Sequence, residues 1–237
     1  MTAAKNTAFS DRLTEVKARI AAACARSGRS PEEITLVAVS KTWPLADLES
    51  ATAAGATDLG ENYVQEAVDK ITHWQGPAPV WHFIGPLQSN KTRQVAELFD
   101  WVHSVDRLKI ARRLSEQRPP AKGPLSVCIQ VNISDDPAKA GVAPADVADL
   151  LADMAGLENL TVAGLMAIPA VDLSESTLRQ QYEELKTLRD TLITNYPDCK
   201  ALSMGMSGDF ELAIECGATH VRVGSALFGQ RHYSAQS

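Results

Sequence analysis

The sequence is poor in cysteine, has no surplus of positive charge and holds no long apolar run, and each shortage removes a class of protein. Its four cysteines, Cys24, Cys128, Cys199 and Cys216, lie far apart and form no Cys-x-x-Cys pair. That spacing excludes a disulfide framework and a cysteine-based zinc site, and it fits reduced thiols in a cytoplasmic protein. No metal is expected. The formal net charge of −6 gives no long-range pull on phosphate backbones or anionic membranes, so neither nucleic acid nor membrane is an expected partner. No apolar run approaches the roughly 20 residues of a membrane span. The opening Met1-Thr-Ala-Ala-Lys-Asn lacks the basic-then-apolar profile of a secretion signal.

What is present is ordinary in bulk and patterned in detail. With 237 residues, 45% apolar and 22% charged, the chain has the length of one α/β barrel. Phe9, Leu13, Val16 and Ile20 recur at helical spacing and predict an amphipathic helix over about 8–27, stopped by Gly28. Ser30, Pro31 and Glu33 predict one further turn. Short, β-branched apolar segments then recur at 36–40, 57–60, 80–84, 101–103, 125–131, 160–166, 200–203 and 219–223. Helical patterns lie between them, the clearest carried by Leu178, Tyr182, Leu185, Leu188 and Leu192. About eight strand–helix units in series predict a (β/α)8 TIM-like barrel as a single domain over 1–237, with a frayed tail at 233–237. An open doubly wound sheet would place a glycine-rich turn after its first strand, where this chain has Ser40-Lys-Thr-Trp-Pro44.

Barrel sites sit at the C-terminal ends of the strands, so the residues there carry the chemistry. Lys41 ends the first strand. Val37, Val39 and Lys41 share one face, so Lys41 either projects into the barrel mouth or leans into solvent. In the eighth strand, His220 and Arg222 share a face opposite Val221 and Val223. Closure makes the first and eighth strands neighbours, about 4.8 Å apart. Lys41 and Arg222 would then meet at one mouth and call for an anionic or carbonyl ligand; otherwise Arg222 is a surface ion-pair residue. Two loops offer amides for a phosphate. Met206-Ser-Gly-Asp209 leads into a helical stretch with Ser207 as its candidate N-cap, and Gly224-Ser-Ala-Leu-Phe-Gly229 follows the eighth strand.

The segments Ala38–Thr42, Gly60–Glu66, Trp81–Lys91, Gly164–Pro169, Met204–Asp209 and Val221–Gly229 resemble, in order, the signature blocks of the YggS/PROSC family of pyridoxal 5′-phosphate (PLP) homeostasis proteins. The resemblance covers nearly the whole chain. It implies a fold-type III barrel related to the N-terminal domain of alanine racemase, with PLP held as a Schiff base on Lys41. It also implies that Arg222 faces the pyridine nitrogen and that Ser207, Gly224 and Ser225 surround the phosphate. Ser225 stands where threonine is common in the family, which keeps the hydroxyl. Asn62 and Met166 match positions near the cofactor. His82 lies in a matching block and reads either as a satisfied strand-end histidine or as a ligand contact.

The resemblance implies a carrier that buffers or delivers PLP, with PLP-dependent apoenzymes as partners and a monomeric state. The alternatives are a racemase-like PLP enzyme and a cofactor-free aldolase using Lys41. Racemisation needs acid–base groups on both faces of a carbon, and alanine racemase draws the second from an additional β domain. The chain stops shortly after its eighth strand, so no such domain is expected. A guanidinium opposite the ring nitrogen cannot accept a proton and leaves the ring a weak electron sink, which disfavours carbanion chemistry.

Overall fold

The computed structural model describes residues 2–137 and 139–230. Eight parallel strands run β1 (Thr35–Val39), β2 (Asp58–Glu61), β3 (Val80–Phe83), β4 (Trp101–Val105), β5 (Leu125–Gln130), β6 (Leu160–Met166), β7 (Ala201–Met206) and β8 (His220–Val223). They close in sequence order, and β1 pairs with both β2 and β8. The helices are α1 (Thr2–Ser27), α2 (Leu45–Ala53), α3 (Val64–Thr72), α4 (Thr92–Leu98), α5 (Leu108–Gln117), α6 (Val147–Met154), α7 (Glu175–Leu192), α8 (Phe210–Glu215) and a short α9 (Ser225–Phe228). The barrel expected from the repeated strand–helix pattern is the fold observed.

Alternation along each strand makes two separate interiors. Side chains pointing out, such as Leu59, Phe83, Val102, Val127 and Leu202, join the helices in the main apolar core. Inside the barrel the apolar cluster is small: Cys128, Met166 and Ala201, with Trp101 and Ile168 against it. Much of the rest of that interior is polar, with His82, His103, Ser203, His220 and Arg222 all buried, although Val37 also points inward.

The periodic stripe of α1 is buried as its spacing predicts, each large apolar side chain contributing about 1.5–3 kcal/mol. The helix begins at Thr2, earlier than the sequence pattern indicated. It lies over α8 and α9. Arg19 forms a two-pronged ion pair with Glu211 at 2.7 and 2.8 Å, and the ring of Phe9 packs 5.0 Å from that of Phe228. In α7, Ser174 Oγ accepts the Thr177 N–H at 3.1 Å, and Tyr182, Leu185 and Leu192 are buried.

Strand β7 departs most from expectation, running to Met206 where the sequence pattern ended it at Ser203. Gly205 explains the extension. It sits at φ +88°, and a Cβ there would lie 2.6 Å from Ala213 Cβ, so only glycine lets the strand bulge against α8. The register with β8 shifts between Ser203 and Met206, which carries Met206 and Ser207 to the barrel mouth.

The tail at 233–237 lies outside the described residues. Among the described residues no helix is long and apolar enough to cross a membrane, and no cluster of His, Cys, Asp or Glu is arranged to hold a metal ion. All four cysteines are buried free thiols.

Candidate functional site

Lys41 is positioned by its two neighbours in the chain. Ser40 points out of the barrel and is fully buried, while Val39 and Lys41 face a cavity at the C-terminal mouth. The Ser40 carbonyl accepts a bond from Lys70 Nζ at 3.0 Å, and its hydroxyl donates to Glu61 Oε1 at 2.6 Å. On the other side, the Thr42 N–H donates to Glu66 Oε1 at 2.5 Å. Lys70 joins both halves, bonding Glu61 at 2.7 Å and Glu66 at 2.5 Å.

This clamp holds a strained residue. Thr42 has φ +68°, a left-handed conformation costing a β-branched residue about 1–2 kcal/mol. The bend turns the chain sharply after Lys41 and sends it into α2. Burial pushes the Glu61 carboxyl above its ordinary range, with Lys70 and Ser40 pulling it back. Its second oxygen, Oε2, has no hydrogen-bond partner.

Arg222 approaches the same cavity from β8, where it pairs in register with Val37 of β1. One guanidinium nitrogen donates to Ser203 Oγ at 2.6 Å and another to the Ala167 carbonyl at 3.0 Å. Burial lowers its pKa below the ordinary guanidinium range, with Tyr182, Asp209 and Cys128 offsetting part of that. An arginine remains charged all the same. The shared faces read from alternation are observed, but β1 ends at Val39, so Lys41 lies in the turn two residues beyond the strand and does not end it.

The third wall comes from two loops. Ser207 Oγ accepts the N–H groups of Gly224 at 3.1 Å and Ala226 at 3.4 Å, tying the loop after β7 to the start of α9. This corrects the expectation that Ser207 caps the helix after β7. That helix starts at Phe210, and the amides of the neighbouring loop have taken the serine hydroxyl. Asp209 instead accepts the Met206 N–H at 2.6 Å and the Tyr182 hydroxyl at 2.7 Å.

The cavity these walls enclose measures about 750 Å3. Lys41, Asn62, Ser207, Arg222, Gly224 and Ser225 all line it. Asn62 Oδ1 is buried there without a hydrogen-bond partner. Gly85 packs directly against it, since a Cβ at that position would lie 2.2 Å from the Asn62 carbonyl. Met166 does not line the cavity; it is fully buried inside the barrel beside Cys128 and Ala201. His82 does not line it either, and bonds Asp58 and His103 instead. Sequence reasoning passed over Trp43, Met206 and Ile168, which supply apolar walls. Trp43 was open to discovery, two residues beyond Lys41 in the same segment, and its ring stacks on Phe228 at 5.5 Å.

The model of the alanine racemase N-terminal domain matches residues 12–232 of this chain. The pyridoxal phosphate homeostasis protein of Escherichia coli K12 is 52% identical over 228 residues, spanning 94% of this chain and 96% of the relative. The chain belongs to the pyridoxal phosphate homeostasis protein family. Among solved structures, PipY of Synechococcus elongatus with PLP bound superposes with a TM-score of 0.81 at 36% identity, covering 93% of this chain and all of PipY. Alanine racemase of Corynebacterium glutamicum shares the fold alone, with a TM-score of 0.72 at 15% identity over 98% of this chain and 64% of the enzyme. Family membership thus accords with a mouth that joins one lysine, one arginine and two amide-bearing loops.

Proposed function

We propose that this protein holds PLP in the cavity as a Schiff base on Lys41, and buffers or delivers it without robust turnover. The observation that carries this reading is the convergence of Lys41, Arg222 and the Ser207–Gly224–Ser225 wall on one cavity. Relatives named for PLP homeostasis and a PLP-bound structural neighbour support it. The residues fit the cofactor group by group. Lys41 would meet the aldehyde, Arg222 the ring nitrogen and the amide-bearing loops the phosphate, and Asn62 lines the same cavity with a buried, partnerless Oδ1.

When bound, PLP supplies an aldehyde that condenses reversibly with amines, losing water. Lys41 would contribute the attacking nitrogen, which must be unprotonated to react. Arg222 would donate to the ring nitrogen while accepting no proton itself, which would orient the ring without promoting carbanion formation. Four buried thiols suit a reducing cytoplasm, and PLP-dependent apoenzymes are the recipients such a carrier would serve.

Intact mass before and after borohydride reduction, followed by peptide mapping, tests the proposal directly. Modification of Lys41 is expected, and a protein that stays colourless and unmodified after soaking in PLP would refute it. Sustained α-deuterium exchange into a free amino acid, abolished in Lys41→Ala, would replace the carrier reading with that of a racemase-like enzyme.

A further inference from the structure

Behind Arg222, away from the cavity, a chain of hydrogen bonds crosses the barrel interior. Asp58, the first residue of β2, lies 2.9 Å from His82 Nε2. His82 Nδ1 lies 2.9 Å from His103 Nε2, and His103 Nδ1 lies 2.7 Å from Ser203 Oγ. Ser203 Oγ is the atom that receives Arg222 at 2.6 Å. His82, His103 and Ser203 are each fully buried, and none lines the cavity.

The protons on this chain are countable. Arg222 has no acceptor, so it must donate to Ser203. At the far end, Asp58 is an acceptor: burial raises its carboxyl, but hydrogen bonds from His82 and Thr57 outweigh that and hold it below the ordinary range. His82 therefore carries its proton on Nε2. If both imidazoles are neutral, His82 Nδ1 must accept from His103 Nε2–H, and His103 Nδ1 must accept from the Ser203 hydroxyl. Every contact then holds one proton and all run in one direction.

The opposite arrangement puts protons on both nitrogens of His82. It would bury an imidazolium offset by Asp58 alone in a barrel that already encloses the Arg222 charge, where desolvation and repulsion between the two cations oppose it. Ser203 would then accept from two sides, and its own proton would point at neither partner. Burial first, then His82, His220 and Arg222, holds His103 well below the ordinary imidazole range, which agrees with a neutral ring.

We propose that Asp58, His82, His103 and Ser203 form a one-way hydrogen-bond relay whose task is to fix the Ser203 lone pair that holds Arg222 against the ligand. Ser203 and His103 are thus positioning residues, and Asp58 sets the direction from the other end of the chain. The relay rests on the PLP reading for its purpose, while its proton placement stands independently.

Two measurements decide it. In the protein without PLP, nitrogen-15 NMR of the histidines should find His82 and His103 neutral with the proton on Nε2; a proton on His103 Nδ1 overturns the relay. Ser203→Ala should bind PLP about tenfold more weakly, the factor carried by one hydrogen bond to a charged group, and Ser203→Thr should restore affinity. Asp58→Asn, far from the ligand, should weaken PLP about threefold and disturb the His103 tautomer. Unchanged affinity together with an unchanged tautomer in Asp58→Asn would show that the four residues merely fill space. Should wild-type protein fail to retain PLP on Lys41, the functional reading falls while the tautomers still judge the relay.

Discussion

Two polar networks flank the site on opposite faces of one sheet, and they are built differently. Outside the sheet, beneath α3, the network gripping the peptides around Lys41 uses full charges: Glu61, Glu66 and Lys70. Inside the barrel, the network behind Arg222 links hydroxyl and imidazole groups to a single carboxylate at its far end. Charges suit the first task because Thr42 is strained, and strong bonds on both sides of Lys41 are needed to keep it so. Neutral rings suit the second because a barrel interior that already holds Arg222 cannot take another cation cheaply. Charge anchors a backbone; polarity aims a side chain.

The comparison can be broken most forcefully at its charged member. Lys70→Met leaves Glu61 buried without its cation and should destabilise the fold by about 3–5 kcal/mol in denaturant unfolding. Adding Glu61→Leu should recover much of that loss; no recovery would mean that the methionine itself fits badly. Next comes Arg222→Ala, which should leave unfolding nearly cooperative but weaken PLP by about 2–3 kcal/mol in equilibrium titration, as one charged contact to the ring is lost. Unchanged affinity would remove Arg222 from the site.

The barrel interior beside that network is probed more gently by acid. Burial, then the neighbouring His82, lowers the His220 pKa from the ordinary 6.5 to about 3, so this ring is neutral in the fold while its unfolded counterpart titrates normally. A depressed histidine means that the unfolded state binds more protons, so stability rises with pH across this window. It is lost as pH falls from about 6.5 towards 3, by about 1 kcal/mol at one unit below the unfolded value. His220→Leu should flatten that slope in denaturation midpoints measured against pH. The smallest effect is expected at the strained residue. Thr42→Gly should stabilise the fold by roughly 0.5 kcal/mol, since relief of a left-handed threonine slightly exceeds the backbone entropy of glycine. A net loss would show that the clamp leaves no strain at Thr42.

Much of the site was legible before any coordinates because the signals were local. The run 36–40 leading into Lys41 and the placing of His220 with Arg222 on one face are matters of alternation, and the strands kept the period of two. Where alternation breaks, reading failed. Gly205 bulges β7, so the strand outlasted its predicted end and Ser207 served the neighbouring loop, not its own helix. Met166, which matched a block near the ligand, keeps the alternation and packs inside the barrel with Cys128 and Ala201, outside the cavity lining. The relay was beyond sequence altogether: its contacts join residues 24, 21 and 100 positions apart.

The amino-acid sequence alone determined the strand–helix rhythm, which residues share a face with Lys41 and with Arg222, and the family, because each depends on spacing between near neighbours. Tertiary structure decided which inward residues meet. Closing eight tilted strands sets a stagger between them, and that stagger brings Asp58, His82, His103 and Ser203 into hydrogen-bond contact, while the packing of α3 beside β2 sets Lys70 on Glu61.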